Sequence, residues 1–104
     1  MIVGRMRFRI EIEEPISLTD NDGFVTEDWI PVASVWADIT PVAGKEYFES
    51  AQTLSEVTSK IYIRYYRELK TTMRIKCDDK IFNIQSILHD ERQGITTIMA
   101  KEVL

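Results

Sequence analysis

The chain has 104 residues, 44% of them hydrophobic and 29% charged, with a formal net charge of −4. That is the balance of one globular domain around one core, and it excludes wholesale disorder. A single cysteine, Cys77, and a single histidine, His89, exclude a disulfide framework, a multi-cysteine zinc site and a His-based metal cluster. No run approaches the ~18 apolar residues of a membrane span. Met1 to Ile10 carries three arginines but no apolar stretch, so it is not expected to act as a secretory signal.

In chain order, Met6, Phe8, Ile10 and Ile12 alternate with Arg5, Arg7, Arg9, Glu11 and Glu13, the period of a half-buried strand that Pro15 ends or confines to an edge. Thr19 to Gly23 is a turn cluster whose Asp22-Gly23 suits a positive φ. A second extended run spans Phe24 to about Thr40. Pro31 belongs at an edge or bulge there, and Val35, Ala37 and Ile39 face away from Trp36, Asp38 and Thr40. Between Lys45 and Leu54, Tyr47, Phe48, Ala51 and Leu54 fall at helical spacing. A helix of barely three turns is marginal alone, so it must pack or belong to a long mobile loop.

Val57 to Tyr66 alternates again, with Ile61, Ile63 and Tyr65 against Lys60, Tyr62, Arg64 and Tyr66. Met73 to Cys77 is a short strand, Asp78-Asp79 a tight turn, and Lys80 to Leu88 a return strand. Ile87 breaks the alternation of Phe82 and Ile84, which predicts a bulge near Gln85-Ser86. His89 to Gly94 reads as a polar turn with His89 solvated, and Ile95 to Val103 as a last strand. The expected fold is all-β and mainly antiparallel: a single-domain β-barrel or sandwich of about six short strands, with one short helix in a long loop.

Little here suits catalysis. Asp38, Asp78, Asp79, Asp90 and Glu91 could supply a carboxylate pair, but four of them lie in turns, where acids serve local backbone hydrogen bonds. Cys77 keeps step with Met73 and Ile75 and reads as a buried structural thiol. The glycines at 4, 23, 44 and 94 are too scattered for a phosphate loop. No enzyme activity, cofactor, metal, small-molecule substrate or membrane partner is expected.

Charge is the more informative feature. Residues 1–10 hold Arg5, Arg7 and Arg9 without an acid; residues 11–58 hold eleven acids against Lys45 alone; residues 59–76 hold six bases against Glu68. These blocks pair across a sheet, or they give a protomer with an acidic and a basic side that docks head-to-tail. The sequence pI near 5.0 disfavours a dedicated nucleic-acid binder. Arg5, Arg7 and Arg9 share one strand face and need acids or a partner opposite, with a protein favoured over the DNA backbone. Tyr62, Arg64 and Tyr66, with Trp36, carry residue types enriched at interface hot spots; a strand buried on both faces would account for them equally well.

The run Gly4-Arg5-Met6-Arg7-Phe8-Arg9-Ile10, then Asp22-Gly23, Trp29, and Val35-Trp36-Ala37-Asp38-Ile39-Thr40-Pro41 with Gly44-Lys45-Glu46, resembles the head–tail joining proteins of tailed bacteriophages. These are also called head completion, adaptor or stopper proteins. The resemblance continues through Thr58 to Tyr65, Met73-Arg74-Ile75 and Phe82 to Ile87. Phe8 and Ala43 depart from it, standing where histidine and serine are common. The resemblance implies a small β-barrel protomer in a homo-oligomeric ring at the virion head–tail connector, assembled in the host bacterial cytoplasm. Portal or adaptor proteins would lie above it and tail proteins below. It further implies a channel-facing loop near packaged DNA, here Lys45, Glu46, Tyr47, Phe48 and Glu49. The alternative from a different class is a small β-barrel that binds single-stranded nucleic acid through exposed aromatics and arginines.

Overall fold

The computed structural model describes residues 6–42 and 57–103. They form six antiparallel strands: β1 (Phe8–Thr19), β2 (Val25–Pro41), β3 (Val57–Arg64), β4 (Arg74–Cys77), β5 (Lys80–Asp90) and β6 (Ile95–Val103). The strands close into a barrel in the order β1-β2-β3-β6-β5-β4. The expected all-β barrel is therefore present. The helix expected over Lys45 to Leu54 falls outside the described residues.

Alternation sets the core. Ile10 and Ile12 of β1, Ala37 of β2, Ile61 and Ile63 of β3, Ile75 of β4, and Ile98 and Ala100 of β6 are fully buried. Each isoleucine removed from water contributes roughly 2 kcal/mol before entropy is counted. Branched side chains on every inner face also suit the pleat. Phe8 has the phase of the inner face but stands at the barrel mouth and stays 43% exposed.

Irregularities appear where residue types demand them. Ile12 pairs Ala33 while Glu13 pairs Pro31, so Val32 is an extra residue in β2, beside a proline that cannot donate to the ladder. Ile84 pairs Ala100 while Ser86 pairs Met99, which makes Gln85 the extra residue of β5. Cys77 pairs Lys80 across the Asp78-Asp79 turn, and Asp78 takes a positive φ of 54°. At the first hairpin Gly23 has φ 85°, and Asp20 Oδ1 accepts hydrogen bonds from the Asp22 and Phe24 amides, each at 2.9 Å.

Of the two readings of Pro15 the edge is the one present, and two further expectations, for Tyr65-Tyr66 and for His89, need correction. Pro15 does not end β1, which runs on to Thr19. It does stand on an edge, because β4 pairs with β1 only at Glu11, Ile12 and Glu13. β3 stops at Arg64, so Tyr65 and Tyr66 do not continue its alternation. The Tyr65 amide donates to Gly94 O at 2.8 Å and the Tyr66 amide to Thr96 Oγ1 at 3.0 Å, drawing the backbone off the ladder. His89 lies in β5, not in a turn. Its Nδ1 is 3.0 Å from Thr96 Oγ1, and its ring meets Tyr65 edge-on at 5.5 Å.

Candidate subunit interface

The order β1-β2-β3 brings two separate sequence features onto one surface. On the outer side of β1 stands Arg9, paired with Trp36 of β2. Next along, Asp38 pairs Tyr62 and Thr40 pairs Lys60 of β3. Lys60, Tyr62 and Arg64 alternate with the buried Ser59, Ile61 and Ile63, so they point outward together. Arg7, exposed, lies just before β1. The surface continues over β6 to Leu88 of β5, which pairs Thr97 and is 68% exposed. Arg5 lies outside the described residues, as do Lys45, Glu46, Tyr47, Phe48 and Glu49.

Arg9 does not meet an acidic strand. Its Nε donates to Ser34 Oγ at 3.0 Å, and its guanidinium lies 5.2 Å from the centroid of the Trp36 ring. This arrangement holds the charge at the surface without neutralising it, since cation–π attraction leaves the net charge in place. Trp36 remains 51% exposed. Tyr62 is half-buried and Arg64 exposed. Tyr66 departs from the expected outward row: it packs against the hydrophobic core. Arg7, Arg9, Trp36, Tyr62 and Arg64 are thus brought together, and Tyr66 is not among them. Lys60, Ser34 and Leu88 join the face. Lys60 was readable from its period-two spacing to Tyr62 and Arg64; the other two depend on strand pairing.

The candidate chemical groups serve local roles. Cys77 is a free, buried thiol. Burial, and then the neighbouring Asp78 carboxylate, push it above its ordinary value, against an opposing effect of Lys80. Asp90 Oδ1 accepts the Gln93 amide at 3.1 Å and so closes the β5–β6 turn. A groove of about 340 Å³ at the barrel mouth is lined by Phe8, Ile39, Cys77 and Phe82 together with the turn aspartates. Among the described residues, no three His, Cys, Asp or Glu side chains gather as metal ligands, and no helix is long and apolar enough to cross a membrane.

The comparisons agree with this architecture. Residues 1–103 match the phage head completion protein family. Among solved structures, protein SF1141 from Shigella flexneri 2a is similar at 29% identity and a TM-score of 0.76, over 98% of this chain and 96% of that one. A chain from the virion of a native gene transfer agent particle is similar at 25% identity and a TM-score of 0.70, over 95% of this chain and 96% of that one. No curated protein matches. A family match across nearly the full length, on a barrel shared with a virion component, assigns the chain: it belongs to the phage head completion protein family and is a structural virion protein.

Proposed function

We propose that this chain forms a homo-oligomeric ring at the head–tail connector, closes the DNA-filled head below the portal, and provides the surface to which the tail attaches. Assembly takes place in the bacterial cytoplasm. Family membership supports the location. The observation that carries the ring is the joining of Arg7, Arg9, Trp36, Tyr62 and Arg64 on one outer face across three adjacent strands. Arg7, Arg9, Arg64 and the neighbouring Lys60 outnumber Asp38 on this face, beside exposed or half-buried aromatics, on a protein whose net charge is −4. Tyr, Trp and Arg are the residue types that dominate protein interfaces, and a ring requires two different patches of one protomer to meet.

The test is an Arg7→Glu/Arg9→Glu chain supplied to a phage that lacks this gene. The variant is expected to stay folded and to leave DNA-filled heads without tails. Normal infectious particles from the variant would overturn the role of this face. Salt-sensitive binding of generic single-stranded DNA by the isolated wild-type chain, lost in the variant, would instead favour the nucleic-acid-binding alternative.

A further inference from the structure

We propose that the hairpin arm made by the far ends of β1 and β2 is the element by which one copy holds the next, docking on the basic outer face of a second copy. The inference rests on the ring reading and names its contact.

Beyond Glu13, β1 has no β4 partner and pairs with β2 alone. Residues 14–19 and 25–30 therefore form a two-stranded ribbon, an arrangement that is marginal in water without further packing. The ribbon nonetheless carries large apolar side chains in the open: Leu18, Phe24, Val25 and Ile30, with Phe24 68% exposed. The register Glu14↔Ile30, Ile16↔Asp28 and Leu18↔Thr26 puts Ile16, Leu18 and Ile30 on one side together with Glu14 and Asp28. Residues 14–30 contain five acids, Glu14, Asp20, Asp22, Glu27 and Asp28, and no base.

That chemistry is the complement of the face described above. Arg9 pairs with Trp36, Arg64 stands one step past the Ala37–Ile63 pair, Lys60 pairs with Thr40 further along the face beyond Asp38, and Leu88 is exposed on β5. Acid meets base, and apolar meets apolar, the arrangement that steers and orients association. The same acids repel a phosphate backbone, so DNA is not the arm's occupant. The arm also begins from a fixed root. Glu13 is bonded to Arg74, whose guanidinium lies 4.3 Å from the Trp29 ring centroid. An arm held in one direction loses less freedom on docking than a flexible one. Arm and face are different patches of one chain, so the contact repeats head-to-tail and generates a closed ring when the rotation permits.

The test uses the full chain in a phage that lacks this gene, with four forms: wild type, an arm reversal (Glu14→Lys/Asp28→Lys), a face reversal (Arg7→Glu/Arg9→Glu/Arg64→Glu), and both together. Infectious titre is counted, and formaldehyde-treated wild-type particles are examined for multimers of this chain. Circular dichroism of each purified variant confirms its folding. Each reversal alone is expected to lower titre by about a hundredfold, and the two together to restore most of it, because only a direct contact is repaired by exchanging its charges. Multimers in wild-type particles with a silent arm reversal, or with no repair by the double reversal, would overturn the arm contact and leave the ring standing. Wild-type particles without multimers would overturn the ring reading and the arm contact with it.

Discussion

Glu13 and Arg74, separated by 61 positions in the chain, are joined by a 2.7 Å contact between Glu13 Oε1 and Arg74 Nε. Glu13 is the last residue of β1 that pairs with β4, so the bond sits where the barrel ends and the arm begins. The Glu13 side chain is only 9% exposed and that of Arg74 22%. Trp29, from the returning strand, covers the guanidinium. Three strands are thereby locked at one point.

Removing the cation should be expensive. Arg74→Leu leaves a nearly buried carboxylate without its partner, and a loss of about 2–4 kcal/mol in unfolding free energy is expected. Urea unfolding measures it. A Glu13→Leu/Arg74→Leu chain should recover much of that loss, because two apolar groups of similar size replace a charge pair at little cost.

Surface charge reversal should behave differently. Arg9→Glu gives up one exposed cation–π contact and one hydrogen bond to Ser34, so thermal unfolding should register about 1 kcal/mol or less. A loss several times larger would mean that Arg9 supports the fold and not an interface.

The arm should respond locally to its turn. Gly23 sits at φ 85° with open space where a Cβ would stand, so Gly23→Ala costs only backbone strain, roughly 1 kcal/mol. Because residues 14–30 beyond the root have no third strand, amide exchange should quicken in the ribbon while Ile61, Ile63 and Ile98 keep their protection. Uniform loss of protection would show that arm and barrel open as one unit.

Burial and the Asp78 carboxylate raise the Cys77 thiol, which fixes two expectations. A thiol reagent should label the folded chain slowly at pH 8 and rapidly in denaturant. The folded state favours the neutral thiol, so this contribution to stability is complete below the ordinary thiol value. It declines as the pH rises above that value, where the unfolded chain ionises first. Chemical denaturation between pH 7 and 10 should show the decline, and Cys77→Ala should flatten that part of the profile.

Most of the barrel was legible because burial and alternation coincide in it. Ile10 with Ile12, Val35 with Ala37 and Ile39, and Ile61 with Ile63 each announce an inner face, and the step from Ile84 to Ile87 announces the extra residue at Gln85. Periodicity fails where the backbone leaves the ladder with the pattern intact. Tyr65 and Tyr66 keep the spacing of β3, but their amides bond to Gly94 and Thr96. The candidate face was half legible. The arginine run and the Tyr62–Arg64 pair are visible as patterns; their meeting beside Trp36 depends on which strands are neighbours. The arm was least legible, since its hairpin turn can be read locally but the shortness of β4 that frees it cannot.

The most direct test of the account is electron cryomicroscopy of complete particles. The account predicts density for this barrel repeated as a closed ring between portal and tail, with the face of Arg9 and Trp36 buried between neighbouring copies. A particle in which this chain is present away from that junction, or as isolated copies with that face open to solvent, would contradict it.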